Sequence, residues 1–238
     1  WIRSRSTASS RRSNPKRRLP PLTDDSNLND SEETSVRRGP STRVSAILTA
    51  AGESTRMGCP KPLLRWHGVT LVEYQTRCLL EGGVSEVVVV LGHRAEDVIP
   101  FVKGPNVRYV VNSRYREGKT TSIKTGLAAV SLDADAIALL AVDQPRTADV
   151  VSRVVTSHIE NDTAITSPRY QGHGGHPLIF SARLRPELES ISEGSQGLRQ
   201  VFQNHLDEIT EVFFDDPIIR LDLNTPEAYA EAQLFYNS

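Results

Sequence analysis

Cysteine is scarce in this chain of 238 residues: Cys59 and Cys78 are the only two, too few for a disulfide framework and without the paired spacing of a zinc site. Long apolar runs are missing too. Nothing approaches the ~18 residues of a membrane span, and the first thirty residues lack the apolar stretch of a secretory signal. No membrane partner and a reducing, cytoplasmic setting are therefore expected. Net charge is nearly absent, with 28 Lys and Arg against 29 Asp and Glu, but its distribution is uneven. Residues 1–43 hold ten basic and five acidic residues, are rich in Ser and Pro, and offer almost nothing for a core. They predict a disordered basic extension. Such an arm suits nucleic acid, an anionic membrane or targeting, and equally a plain solvated tail. The remaining 44–238 carry a net charge of −6, which argues against nucleic acid as a partner of the folded part. Two phosphate fingerprints are also missing. With no Gly-x-x-x-x-Gly-Lys-Ser/Thr and no Gly-x-Gly-x-x-Gly, neither a Walker ATPase nor a dinucleotide-binding dehydrogenase is indicated.

What is present begins with the apolar run Val44, Ala46, Ile47, Leu48, which leads into Thr49-Ala50-Ala51-Gly52-Glu53-Ser54-Thr55-Arg56-Met57-Gly58-Cys59-Pro60-Lys61. This is a strand followed by a small-residue loop with two fixed cations. Ala50, Ala51 and Gly52 let backbone N–H groups approach a triphosphate, and Arg56 and Lys61 neutralise its charge. The bland alternative is a Gly turn with solvated cations, which the number of fixed positions disfavours.

Beyond the loop, short β-branched runs alternate with amphipathic stretches, the pattern of a mostly parallel sheet covered by helices. Strands are predicted at 44–49, 86–91, 107–111, 136–142 and 163–167, with shorter ones at 176–180, 209–213 and 218–221. Helices are predicted at 70–82, 94–102, 120–131, 147–159, 183–191, 196–206 and 226–236. Asp143 follows the run Ala136 to Val142, at the carboxyl end of a central strand where open α/β sheets bind ligands. A hard oxygen donor there suits Mg²⁺. Asp222 and Asn224, two apart on a predicted strand end, bring further oxygens. Asn112 and the run Gly118 to Ser122 read as a strand end and a helix start, able to receive base, ribose or phosphate. The segment Gly172-His173-Gly174-Gly175-His176-Pro177 has no Cys nearby, so His176 is expected to bind substrate or its own loop and not a metal. Arg199, after Gly194-Ser195-Gln196-Gly197-Leu198, adds a second candidate anion contact.

Taken in order, these motifs resemble the molybdenum-cofactor cytidylyltransferase branch of the MobA-like NTP transferase family. They are Ala-Ala-Gly-x-Ser-x-Arg-Met-Gly-x-x-Lys at 50–61, Val-Val-Asn at 110–112, Val-Asp-Gln-Pro at 142–145, Gly-His-Pro at 175–177, Gly-Ser-Gln-Gly-Leu-Arg at 194–199 and Asp-Leu-Asn-Thr-Pro-Glu at 222–227. The resemblance implies a single Rossmann-like α/β nucleotidyltransferase domain over 44–238, three-layered, with a mostly parallel mixed sheet. It implies Ala50, Ala51, Gly52, Glu53 and Ser54 as nucleotide wall, Asn112 and Ser122 as further nucleotide contacts, and Arg56 and Lys61 on the triphosphate. It places Asp143 and Asn224 on Mg²⁺, and His176 and Arg199 on the acceptor. The implied reaction transfers CMP from CTP to a phosphorylated pterin-type acceptor and releases pyrophosphate, with possible hand-over to a molybdoenzyme. Ala50-Ala51, where the guanylyl branch tends to carry Ala-Gly, favours CTP, because the added methyl crowds a purine. A sugar-1-phosphate acceptor, or a non-catalytic nucleotide-binding cofactor chaperone, are the competing expectations. Thr49, Lys119-Thr120-Thr121 and Leu198 depart from the family pattern.

Overall fold

The computed structural model describes residues 42–236, so the expected basic extension lies outside the described residues except for Thr42 and Arg43. Strand β1 (Val44–Ala50) opens the fold, and a small hairpin of β2 (Arg65–Trp66) and β3 (Val69–Thr70) leads into α1 (Leu71–Glu81). Next come β4 (Glu86–Leu91), the single turn α2 (Ala95–Val98), β5 (Val107–Val111), α3 (Lys119–Leu127), β6 (Ala136–Ala141) and α4 (Ala148–Asn161). The last third holds β7 (Ile165–Tyr170), β8 (His173–Gly174), β9 (Leu178–Ser181), α5 (Arg185–Ser190), α6 (Leu198–Asn204), β10 (Ile209–Phe213) and α7 (Pro226–Tyr236).

The main sheet runs β10-β7-β9-β6-β1-β4-β5, with β8 paired to β7. Strands β6, β1, β4 and β5 are mutually parallel, β10 is parallel to β7, and β9 is antiparallel to both its neighbours. This is the expected α/β architecture with a mixed, mostly parallel sheet. Register brings the strand ends into line: Thr49 lies beside Ala141 on one side and Val90 on the other, so the carboxyl ends of three strands finish level.

Strand alternation divides the core into two. Ala46 and Leu48 of β1 pack with Leu71 and Leu79 of α1 and Val151 and Val154 of α4. Ile47 points the other way, towards Ile123 and Leu127 of α3 and Leu188 of α5. Helices thus cover both faces, and Val87 through Leu91 are fully buried between them. Gly126 lets α3 lie close on β1, since a Cβ there would sit 2.4 Å from Ile47 Cγ2.

Helix starts follow the sequence rules. Thr70 and Glu73 form a reciprocal capping box on α1, and Thr147 caps α4 by accepting from the N–H of Val150. Two predicted elements differ. The helix expected over 94–102 is a single α turn followed by a 3-10 turn, Ile99–Phe101, because Pro100 has no N–H to continue the ladder. The strand expected at 218–221 is instead a 3-10 turn, Pro217–Arg220. Pro217 presets its φ, and the Asp216 carboxylate accepts from the N–H of Ile218 at 2.8 Å, which caps the turn.

Candidate active site

The level strand ends gather the sequence's chemical groups around a cleft of about 370 Å³. The end of β1 supplies Ala50, Ala51, Gly52 and Ser54 to its wall, and the end of β6 supplies Asp143. The loop after β1 folds back on itself: Ser54 has φ +54, its carbonyl accepts from Met57, and its hydroxyl accepts from the N–H of Lys61 at 3.1 Å. That last bond aims Lys61 inward. Its ammonium donates to Asp143 Oδ2 at 2.6 Å and to Asn224 Oδ1 at 2.5 Å, so three expected residues from distant parts of the chain meet at one point. The side chains of Lys61 and Asp143 are only 13% and 19% exposed. A backbone bond from the N–H of Leu223 to the Asp143 carbonyl, 2.8 Å, holds the two loops together.

Asp222 lies beside this group. Its Oδ1 is buried without a hydrogen-bond partner, and burial, with the Asp143 charge adding to it, raises its carboxyl above the usual range. Two oxygens already converge on one cation, and a third buried carboxylate oxygen is unpaired. The donors are all oxygen, so the set fits a hard divalent cation. Among the described residues no group of three His, Cys, Asp or Glu is arranged to hold a metal ion, so such an ion would be held by two carboxylates at most, with the Asn224 amide and substrate oxygens completing it. Because the segment before them is the 3-10 turn Pro217–Arg220 and not a strand, Asp222 and Asn224 reach the site from the loop beyond it and not by strand alternation.

Ser122 and His176 also line the cleft. Burial, with the charges of Arg146 and Lys119 adding to it, pushes the His176 imidazole down to about 4, so it is neutral at pH 7 and offers one donor and one acceptor. Four expected residues stand elsewhere. Glu53 is exposed and pairs with Arg116 at 2.8 Å, while Arg56 is exposed and outside the wall. Asn112 is buried behind the wall, where its amide donates to Thr121 Oγ1 and Ser122 Oγ and so secures the start of α3. Arg199 faces solvent, and its neighbour Leu198 is the residue in the cleft.

Sequence reasoning missed several groups. Tyr115 and Lys119 line the cleft on either side of Gly118. Glu193 reaches back to the start of α3, where it accepts from the N–H of Thr120 at 2.9 Å. Gln75, fully buried on α1, donates to the Gln144 carbonyl at 2.6 Å and accepts from the N–H of Arg146 at 3.1 Å, bracing the loop that carries Asp143. Arg146 is 1% exposed, and burial lowers its guanidinium to about 10, still charged at pH 7. A charge placed between a proline and a helix cap was the available signal.

A small-residue loop at the carboxyl edge of the sheet, an inward lysine and an aspartate just past a strand end form a cleft suited to a nucleotide and its phosphates. The chain belongs to the MobA-like NTP transferase family, whose model matches residues 46–209. It is 36% identical over 164 residues to the nicotine blue oxidoreductase of Paenarthrobacter nicotinovorans, covering 66% of this chain and 79% of that relative. With the molybdenum cofactor cytidylyltransferase of Escherichia coli K12 it shares 28% identity over 200 residues, 81% of this chain and 97% of the relative. Among solved structures it is similar to Rv0371c from Mycobacterium tuberculosis H37Rv in complex with manganese, with a TM-score of 0.67, 25% identity, and coverage of 80% of this chain and 97% of the other.

Proposed function

We propose that this enzyme transfers CMP from CTP to the terminal phosphate of molybdopterin or its molybdenum complex. The observation that carries the reading is the Lys61 ammonium held between Asp143 and Asn224 in a cleft walled by Ala50, Ala51, Gly52 and Ser54. The acceptor's phosphate monoester oxygen forms a bond to the α-phosphorus of CTP, the bond from that phosphorus to the bridging oxygen breaks, and pyrophosphate leaves with the electron pair. The attacking oxygen is already anionic, so no side chain need remove a proton. Lys61 stabilises the charge that builds on the phosphoryl oxygens, the backbone of 50–54 receives the nucleotide, and Arg56 meets the outer phosphates from the loop's exposed edge. Neutral His176 donates one hydrogen bond to the acceptor, with Arg199 near the mouth. Ser122 contributes to the nucleotide side, and Asn112 acts on it indirectly by holding the Ser122 hydroxyl. Asp143 and Asn224, with Asp222 beside them, are the residues that would hold Mg²⁺, which supplies charge neutralisation on the phosphate oxygens.

The choice of CTP rests on Ala50-Ala51 and on the named function of the Escherichia coli relative. Pyrophosphate release measured with each NTP, Mg²⁺ and molybdopterin is the test. CTP should exceed GTP in kcat/KM by about 1–3 kcal/mol, the range a small apolar wall difference allows. Equal or better use of GTP would overturn the cytidylyl assignment. Turnover with a sugar 1-phosphate and none with molybdopterin would change the acceptor class. The relative named a nicotine blue oxidoreductase supports a second reading, in which the cleft takes a redox substrate of that kind. Two-electron reduction of nicotine blue by an added hydride donor, dependent on the protein and without pyrophosphate release, would favour it.

A further inference from the structure

Arg146 has an unusual set of partners for a buried charge. Among the described residues no carboxylate lies in salt-bridge contact with it; its guanidinium donates to four backbone carbonyls on three separate segments of the cleft. Nη1 reaches the carbonyls of Pro145 at 2.8 Å and Leu221 at 3.1 Å, Nη2 that of Ile219 at 2.6 Å, and Nε that of His176 at 2.9 Å. Pro145 belongs to the loop that carries Asp143, and Ile219 and Leu221 immediately precede Asp222 and Asn224. His176 belongs to the turn that borders the cleft. The approach is close as well as bonded: a Cβ on Gly175 would sit 2.4 Å from the Ile219 carbonyl oxygen.

We infer that Arg146 is the positioning residue of the site, a planar fork that fixes the oxygen donors of the 222–224 loop against Asp143 and ties both to the His176 turn. This rests on the nucleotidyltransferase reading with a divalent cation. A guanidinium serves because its N–H groups diverge in one plane, whereas an ammonium radiates its three donors from a single point. A lysine at 146 would keep the charge but could not span carbonyls on opposite sides of the fork. That difference separates positioning from mere neutralisation of the nearby aspartates. Outer partners of metal-holding groups are worth about 10–100-fold in metal affinity or activity.

The test compares Arg146→Lys with the unaltered protein, using Mn²⁺ alone as the probe and free Mn²⁺ read by electron paramagnetic resonance, with no nucleotide or acceptor present. The lysine variant should stay folded by circular dichroism yet bind Mn²⁺ at least about 10-fold more weakly, and its kcat for pyrophosphate release should fall while KM for CTP moves less than about threefold. Gly175→Ala, which leaves Arg146 intact but pushes on Ile219, should weaken Mn²⁺ binding in the same direction. Unchanged Mn²⁺ affinity in a folded lysine variant would overturn the inference alone. If the lysine variant does not fold, the alanine variant decides, and unchanged affinity there overturns it. Failure of the unaltered protein to bind Mn²⁺ would instead overturn the divalent-cation reading and the inference with it.

Discussion

Single side chains set the chemistry here, and Asp143 is the most exposed to test. Its Oδ2 is one of two oxygens on the Lys61 ammonium, and the other, from Asn224, belongs to an uncharged amide. Asp143→Ala should leave the fold intact and lower kcat by about 10²–10³, the scale of one preorganised electrostatic contact. Near-normal kcat at saturating Mg²⁺ would remove Asp143 from the reaction. Lys61, Asp143 and Asn224 were legible in the sequence because each sits where a strand end or a small-residue loop leaves a charged or polar group little choice of direction. The partners of Arg146 were not legible. They are backbone carbonyls, which every residue has, so nothing in the sequence marks the segments that Arg146 joins. Arg56 and Arg199 were expected from the loop and the helix start that carry them, and both are exposed.

At the level of elements, the close approach of α3, which carries Ser122, to β1 passes through Gly126. Gly126→Ala would drive a methyl into Ile47, both of them within the core, and should destabilise the fold by about 1–3 kcal/mol, as overpacking does. Thermal unfolding checks this; an unchanged melting temperature would mean that the helix can shift without cost. Strand positions were readable from the sequence because continuous β-branched runs such as Val87 to Val90 have few other homes. The helix expected at 94–102 and the strand expected at 218–221 were misread for related reasons: Pro100 inside the first and Pro217 just before the second favour 3-10 turns that apolar periodicity does not distinguish from helix or strand. The register that brings Asp143 beside the β1 loop was legible only as a rule about parallel sheets, and the pairing of Leu223 with the Asp143 carbonyl not at all.

At the scale of the molecule, several of the ion pairs among the described residues join separate elements, and His205 is a measurable case. Its ring nitrogens lie 2.7 Å from Glu187 and 3.1 Å from Glu208, which links α5 to the segment entering β10. Hydrogen bonds to Glu187, then to Glu208, raise the imidazole above its usual value. The stabilisation is therefore complete below the ordinary histidine pKa of about 6.5 and is lost as pH rises through the raised value. Melting temperature should fall more between pH 6 and 8 in the unaltered protein than in His205→Gln, by a modest amount because both glutamates are partly solvated. Equal slopes would show that the cluster does not couple to folding. The assembly of the cleft has a consequence in time. Lys61 and Asn224 are separated by 163 positions, and Asp143 lies between them in sequence, in the turn that follows β6. Contacts of that span form only after long stretches of chain have closed, so the cleft has no local precursor. Helices such as α1 and α4 can form from their own caps and apolar stripes, but the cationic floor of the site exists only once the last third of the chain has docked, which makes competence for catalysis among the last properties this molecule acquires as it folds.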